Sequence, residues 1–219
     1  YRGHLQPKRG PAQGIDLPPM GYLHIDGAAY FAGGSRFNPA EAQTIAAWLV
    51  AHRDNLESHY QQKLENILAI VTPFGKQAQE LRQACGAVGI RVIGAGAMTI
   101  GTVHSLQGAE RPIVLFSPAY AKGVDGSFID SSTSMLNVAV SRAKDNFLVF
   151  GDMDLFSMAP HGSPRGVLST FLFARPENAL AFDVQPREDL KKRAAEVKML
   201  RDADDHDIFL RDILASAQK

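Results

Sequence analysis

One glycine–lysine pair in this sequence has residue types that could act on a phosphate group. Gly75 and Lys76 follow an apolar run and open an amphipathic stretch, which is the context of a phosphate-binding loop between a strand and a helix. Such a loop needs an earlier glycine and, after the lysine, a hydroxyl that binds magnesium, but Ile70 and Gln77 occupy those places. No other stretch of the sequence offers the loop, so we expect that this chain does not hold a triphosphate and its metal unaided.

Two further segments place polar and cationic side chains near the ends of expected strands. Gly101–Glu110 has the sequence GTVHSLQGAE, and Leu136–Lys144 has the sequence LNVAVSRAK. With Ile70–Gln77 (IVTPFGKQ), each lies at the carboxyl end of a predicted strand or in the helix near one, where open α/β sheets bind ligands. These three segments are the candidate functional site.

Other patterns fail on their spacing. Gly94–Thr99 has two glycines of a dinucleotide fingerprint but a threonine at the third place, and it precedes a strand, so it predicts a surface turn. Asp152 and Asp154 follow an apolar run and are expected to cap the next turn. Gly162–Gly166 is expected to be a loop, and its serine is one place off the nucleophile-elbow spacing. The seven histidines show no paired metal-ligand spacing.

The elements that must position these segments alternate between strands and helices. Apolar runs without polar alternation are typical of central parallel strands; they occupy Ile67–Val71, Ile113–Phe116 and Phe147–Phe150. Weaker strand candidates are Tyr22–Ile25, Arg91–Ile93 and Thr99–Val103. Helical patterns cover Phe74–Val88, Met135–Ala143 and the stretch that follows Asn38-Pro39-Ala40-Glu41, a capping-box spacing. The alternation predicts an α/β fold with a doubly wound, mostly parallel sheet and helices on both faces.

The ends of the chain differ from its centre. Residues 1–21 are rich in proline and glycine and predict an irregular entry segment. After Asp152 the pattern loosens, so we expect one domain over residues 1–155 and a loop and helical extension over residues 156–219. The chain begins without methionine and stops in a helical run, and we therefore expect a piece of a longer protein.

Composition limits the classes of function. The 219 residues are 45% apolar and 21% charged, which is ordinary for a folded domain. Because the formal net charge is zero, nucleic-acid binding would have to rest on a few placed groups. The single cysteine, Cys85, excludes disulfides within the chain and suits a reducing, cytoplasmic compartment, where we expect it to pack in a core. No run is long enough for a membrane span.

Taken in order, the three segments resemble the second motor domain of superfamily 1 helicases, above all the subgroup with the nonsense-mediated-decay helicase and its bacterial relatives. Thr102–Glu110 is similar to helicase motif V, Leu136–Lys144 to motif VI, and Thr72–Gln77 to the TPY-x-x-Q segment before them. The resemblance covers residues 1–155 and implies a RecA-like fold. Lys144 stands where many relatives have arginine.

The resemblance implies a shared nucleotide site. Family members carry a phosphate loop and a magnesium-binding acidic motif upstream, in a preceding domain, and neither is in this chain. Arg142 matches the motif VI arginine that stabilises the transferred phosphate as the domains close. Glu110 matches the acid that hydrogen-bonds the ribose, and Gln107 and Gly108 would lie near the phosphates. The residue types alone also allow a surface arginine paired with Asp145, a solvated loop carboxylate and a turn-stabilising glutamine.

The resemblance also implies a strand-binding surface. Thr72, Thr102 and His104 match positions near the nucleic-acid strand, where short hydroxyls and backbone amides hold phosphates without reading sequence. Thr72 could instead cap the following helix, and His104 could be structural. Phe74 suits a core position better than a base-stacking platform.

The implied protein is an ATP-dependent helicase or translocase of which this chain is the C-terminal motor domain. ATP and Mg²⁺ would serve the full-length protein, with none expected tightly bound to this chain, which should be inactive without the N-terminal RecA-like domain. Its further partner would be single-stranded DNA or RNA, and no membrane is implied. Two rivals stay open: a non-catalytic helicase-fold docking module, and an unrelated α/β enzyme that binds a dinucleotide or nucleotide sugar at Gly94–Gly96.

Overall fold

A five-stranded parallel sheet forms the centre of the molecule in a computed structural model, which describes residues 15–106, 110–121, 126–131 and 133–182. Its strand order is β1-β7-β6-β4-β5, and every neighbouring pair is parallel. The strands are β1 (Met20–His24), β4 (Leu68–Thr72), β5 (Thr99–Thr102), β6 (Arg111–Phe116) and β7 (Ala143–Gly151). A separate antiparallel hairpin pairs β2 (Tyr30–Ala32) with β3 (Ser35–Phe37).

Helices cover both faces of the sheet. They are α1 (Pro39–Tyr60), α2 (Leu64–Ile67), α3 (Gly75–Ala87), α4 (Ser127–Asp130), α5 (Thr133–Ser141), α6 (Asp154–Ser157) and α7 (Pro164–Leu172). One apolar core includes α1 and α3, and a second includes α5 and α7. The α/β prediction with helices on both faces is therefore confirmed, and the arrangement is that of a RecA-like domain. Within the described ranges, none of the helices has the length and apolar character that crossing a membrane requires.

The second core continues past residue 155. Phe156 and Leu172 are fully buried in it, and the amide of Leu180 donates to the carbonyl of Tyr22 in β1. The described part of the expected extension, residues 156–182, thus packs on the same sheet. The rest of that extension, like the first fourteen residues of the expected entry segment, lies outside the described residues.

Two local predictions were wrong. Arg91–Ile93 is not a strand, because the left-handed glycines Gly89 (φ 79°) and Gly94 (φ 86°) turn the chain on either side and leave Ile93 82% exposed. Gly162–Gly166 is not a loop throughout. Ser163 accepts a hydrogen bond from the amide of Gly166 and caps α7, which begins at Pro164.

The start of α1 follows the sequence prediction only in part. Asn38 is the N-cap and accepts hydrogen bonds from the amides of Ala40 and Glu41, with Pro39 at the first helical position. The capping box itself does not form, because the amide of Asn38 donates to Gln77 Oε1 at 2.7 Å. The Glu41 carboxyl group turns inward, to partners described below.

One largely buried ion pair joins the short helices on the second face. The Arg165 guanidinium donates from Nε and Nη2 to Asp130 Oδ2, at 3.0 and 2.7 Å, and from Nη1 to the carbonyl of Leu155 at 2.7 Å. The side chains of Arg165 and Asp130 are only 9% and 18% exposed. This arginine therefore connects α7, α4 and the start of α6, and its role was not foreseen from the sequence.

We predict that Arg165→Ala lowers the free energy of unfolding by about 3 kcal/mol, because it leaves the largely buried Asp130 carboxylate without its charge partner. Urea denaturation followed by circular dichroism measures this loss. The matched control is Arg175→Ala at an exposed arginine, which should change stability by about 0.5 kcal/mol or less. Equal losses in both variants would contradict a structural role for the ion pair.

Candidate functional site

The predicted site residues lie at two opposite edges of the sheet. Thr72 and Thr102 are register partners at the carboxyl ends of β4 and β5. Glu110 and Arg142 directly precede the amino ends of β6 and β7. Since all strands are parallel, these pairs are separated by the length of a strand, roughly 17 Å for a six-residue strand at ~3.3 Å per residue. The candidate site is therefore divided into an amino edge and a carboxyl edge.

At the amino edge, the backbone holds Arg142 and Glu110 on adjacent strands. The amide of Arg142 donates to the carbonyl of Ala139 as α5 ends, and the amide of Arg111 donates to the carbonyl of Arg142. Lys144 Nζ lies 3.7 Å from Glu110 Oε2, with both side chains about half exposed (42% and 55%). Two segments that are far apart in sequence thus bring a carboxylate and two cations to one surface.

Arg111 reinforces this edge and was overlooked in the sequence. Its Nη1 donates to the carbonyl of Glu110 at 3.0 Å, and its Nη2 donates to Thr99 Oγ1 at 3.1 Å. The guanidinium therefore links the residue before β6 to the start of β5. The sequence feature that could have identified Arg111 is its position next to Glu110, between two of the motif-like segments.

The Arg142 guanidinium has an N–H donor without a hydrogen-bond partner in the described part of the chain. Its Nη2 donates to Ser141 Oγ at 3.2 Å, while its Nε is buried without a hydrogen-bond partner in the part of the chain that the structure describes. A guanidinium has five N–H donors, and an unpaired buried donor is costly. Because Nε is buried, as it also is in Arg53 and Arg111, the Nη groups of the partly exposed Arg142 side chain are the donors that fit an external anion such as a phosphate. Gln107 and Gly108, expected beside it, lie outside the described residues.

At the carboxyl edge, the two threonines differ in exposure. Thr72 is fully buried, and its Oγ1 accepts a hydrogen bond from the amide of Phe74 at 3.3 Å, just before α3 begins. Thr102 is partly exposed, and its carbonyl accepts from Ser105 Oγ at 2.7 Å within the 3₁₀ turn Val103–Leu106. The side chain of His104, in that turn, lies outside the described residues. Thr102 is thus the accessible hydroxyl of the pair.

The two acids after β7 differ in position. Asp152 Oδ1 accepts a hydrogen bond from the amide of Asp154 at 3.0 Å, so the capping prediction holds for Asp152 in the turn before α6. Asp154 is the first residue of α6, whose N-cap, Met153, has no side-chain hydrogen bond. His24 Nδ1 accepts from the amide of Met153 at 3.1 Å and lies 4.0 Å from Asp152 Oδ1. Within the described ranges, no cluster of three histidine, cysteine, aspartate or glutamate side chains could hold a metal ion.

A buried polar cluster lies beneath the carboxyl edge and was not predicted. It consists of Asn38, Glu41, Gln77 and Ser117, each fully buried. Gln77 Nε2 donates to Ser117 Oγ at 2.8 Å, and Ser117 Oγ donates to Glu41 Oε2 at 2.5 Å. Glu41 Oε2 also accepts from the amide of Ala119 at 2.9 Å, and Asn38 Nδ2 donates to Glu41 Oε1 at 3.3 Å. The cluster ties the starts of α1 and α3 to the segment after β6.

Glu41 is the ionisable residue of this cluster, and its pKa is strongly shifted. Desolvation by burial raises the pKa of its carboxyl group to about 8, although hydrogen bonds from Ser117 and the backbone of Ala119 and Tyr120 oppose the rise. Nearby Asp152 adds to it. The position of Glu41 in the first turn of α1 suggested a capping residue, and nothing in the sequence marked Ser117 as its partner.

We predict that Glu41 makes the protein less stable as pH rises. Its folded pKa of about 8 exceeds the ordinary value of 4.5, so its stabilising contribution is complete below pH 4.5 and is lost as pH rises through 8. For one proton the slope reaches at most about 1.4 kcal/mol per pH unit. Urea unfolding between pH 5 and 8 should show this slope in the wild type and a flatter one in Glu41→Gln. Exposed Glu177→Gln is the control, and an unchanged slope in Glu41→Gln would refute the assignment.

Comparison of the sequence with known proteins places the chain in a family. A family model described as an AAA domain matches residues 8–154. The chain is 30% identical over 132 residues to "Probable RNA helicase armi" of Drosophila melanogaster. The matched region covers 57% of this chain and 10% of that protein. It is 30% identical over 117 residues to "DNA polymerase alpha-associated DNA helicase A" of Schizosaccharomyces pombe, covering 53% and 16%. "Putative helicase MOV-10" of Gallus gallus is 28% identical over 141 residues, covering 58% and 14%. The matches span 10–16% of the length of these relatives.

Proposed function

We propose a motor function for this chain, which belongs to the AAA domain family and is a RecA-type domain like those of superfamily 1 helicases. In the full-length protein it would be the C-terminal motor domain of an ATP-dependent nucleic-acid helicase or translocase, working in the cytoplasm. The observation that carries the proposal is the amino edge. There the partly exposed Arg142 lies on the strand edge that also carries Lys144 and Glu110, in a chain that has no phosphate loop of its own.

The amino edge suits one flank of a nucleotide site. ATP with Mg²⁺ would be held mainly by a preceding RecA-like domain and would supply the phosphoryl group that is transferred to water. Arg142 would donate to the phosphate oxygens from across the interface, where a permanently charged, rigid fork matches the oxygens in a way that lysine does not. Glu110 would accept from the ribose hydroxyls, and Gln107 and Gly108 would lie near the phosphates.

The carboxyl edge suits a single strand of DNA or RNA. Thr102, with its partly exposed hydroxyl, and His104 in the following turn would contact strand phosphates without reading sequence. Thr72 is buried next to Thr102, so its role would be to position the start of α3 under the strand. Because the same parallel strands connect both edges, movement of this domain toward a bound nucleotide would also move the strand contacts.

We expect Arg142→Ala in the full-length protein to lower ATP turnover by roughly three to five orders of magnitude, as for arginine fingers supplied in trans. Steady-state phosphate release with saturating single-stranded nucleic acid measures the effect. Arg142→Lys should restore little, because a single ammonium group does not reproduce the donor fork.

The matched control for this experiment is Arg175→Ala, since Arg175 is an exposed arginine distant in sequence from both edges. It should retain turnover within a factor of two or so. Wild-type turnover in full-length Arg142→Ala would remove Arg142 from the nucleotide site. A full-length protein with no ATPase activity in any form would favour the docking-module alternative.

The 219-residue chain alone should release no phosphate from ATP above background, with or without single-stranded (dT)20, because it has no phosphate loop. A malachite-green assay with millimolar ATP and Mg²⁺ tests this. Turnover by the chain that Arg142→Ala abolishes would show that the domain has a complete site and would overturn the proposed division between two domains.

A further inference from the structure

The β2–β3 hairpin presents an exposed aromatic ring next to a cation. Phe31 in β2 is 55% exposed, although a side chain of this size is normally buried. The guanidinium carbon of Arg36 in β3 lies 5.9 Å from the centroid of the Phe31 ring, within the range of a cation–π contact. One face of an aromatic ring is thus supported by the hairpin itself.

The hairpin is anchored to the carboxyl edge of the sheet. The amide of Lys76 in α3 donates to Ser35 Oγ at 3.2 Å, and the Lys76 side chain runs alongside the hairpin turn at Gly33. The Arg36 guanidinium also lies 5.2 Å from the ring centroid of Tyr120, which is fully buried. Phe31 therefore sits on a positioned support that carries two cations, Arg36 and Lys76.

A second exposed ring lies on the same support. Phe74 contacts Tyr120 edge-on, with centroids 5.6 Å apart, and contacts Phe128 at 5.1 Å. Phe128 is 46% exposed. Phe31, Arg36, Tyr120, Phe74 and Phe128 form a continuous series of contacts, which we call the aromatic strip. It has a buried centre and an exposed ring at each end.

We infer that the aromatic strip is a base-stacking platform for single-stranded nucleic acid, with Phe31 and Phe128 as the stacking rings. Bases of any sequence can stack on such rings, while Arg36 and Lys76 offer charge to the backbone phosphates. The strip adjoins the proposed strand contacts, because Phe74 and Lys76 follow Thr72, the register partner of Thr102. The inference rests on the proposed strand-binding function and extends it to residues outside the motif-like segments, the hairpin above all.

A protein partner is the weaker occupant for this surface. Protein-binding patches have a contiguous apolar core with few charges. Here the middle of the strip is buried and the cations lie beside the exposed rings. Separate rings with cations beside them match a strand of bases and phosphates better than an apolar protein surface.

The test is fluorescence anisotropy of 5′-fluorescein-(dT)15 titrated with the 219-residue chain at low salt. Phe31→Ala should weaken binding about 5- to 150-fold, the factor that corresponds to the 1–3 kcal/mol measured for one stacked base. Phe128→Ala should weaken it by a factor in the same range, and Phe31→Trp should restore it. The matched control is Phe171→Ala on α7, because Phe171 is also 55% exposed but lies outside the strip.

Two further measurements separate stacking from charge. The slope of log Kd against log salt should stay unchanged in Phe31→Ala, whereas Lys76→Ala should reduce it by about 0.7 for one lost phosphate contact. A 15-unit abasic oligomer, which has phosphates but no bases, should bind Phe31→Ala and wild type equally. Thermal melting confirms that each variant is folded.

The outcomes distinguish failure of the platform inference from failure of the proposed strand binding. If wild type binds (dT)15 and Phe31→Ala binds equally well, the platform is refuted while strand binding stands, and a protein partner becomes the better occupant. If Phe171→Ala weakens binding as much as Phe31→Ala does, the platform is also refuted. If wild type binds neither (dT)15 nor (U)15 up to 100 µM protein (roughly −5.5 kcal/mol of binding free energy), the strand-binding proposal fails with it.

Discussion

The carboxyl edge of the sheet depends on one constraint: the buried side chain of Glu41 must have hydrogen-bond partners for its oxygens. A fully buried carboxyl group is tolerated only when its oxygens have hydrogen-bond partners, and Asn38, Ser117 and the amide of Ala119 provide them. Those partners come from the start of α1 and from the segment that follows β6. Gln77 adds the start of α3 through Ser117 and the amide of Asn38. Satisfying one buried acid therefore holds three otherwise separate pieces of chain in place.

This polar cluster explains how an open parallel sheet can carry a defined surface. The carboxyl ends of parallel strands lead into connections that have no ladder partners of their own. Here two sets of contacts fix the connections after β4 and β6. One is the buried polar cluster, and the other is the contact of Phe74 with Tyr120 and Phe128. The amino edge is held differently, by the hydrogen bond from the backbone amide of Arg111 to the carbonyl of Arg142 as β6 and β7 begin. Two edges with independent supports can face two different ligands while one sheet connects them.

Much of the fold was predictable because its signals are local. The apolar runs that became β4, β6 and β7, and the Asn38–Pro39 start of α1, depend on neighbouring residues alone. Arg91–Ile93 shows the limit: its residue types suit a strand, but left-handed glycines on either side prevent pairing. Glu41 shows another limit: it lies at a capping position, but its carboxyl group accepts a hydrogen bond from Ser117, which is distant in sequence. Thr72 was matched to a strand contact, and burial instead directs its hydroxyl to the amide of Phe74, which the residue types alone did not indicate.

By itself, the sequence determined the alternation of strands and helices, the segments that carry Arg142, Glu110 and Thr102, and the lack of a phosphate loop. Periodicity and motif spacing are properties of short stretches, so they can be read without coordinates. Only the tertiary structure decided that Arg142 and Glu110 share the amino edge while Thr102 lies at the other. Strand order and direction set that division. It likewise decided that Arg36 lies beside both Phe31 and Tyr120, because contacts between residues distant in the chain arise from packing rather than from local preference.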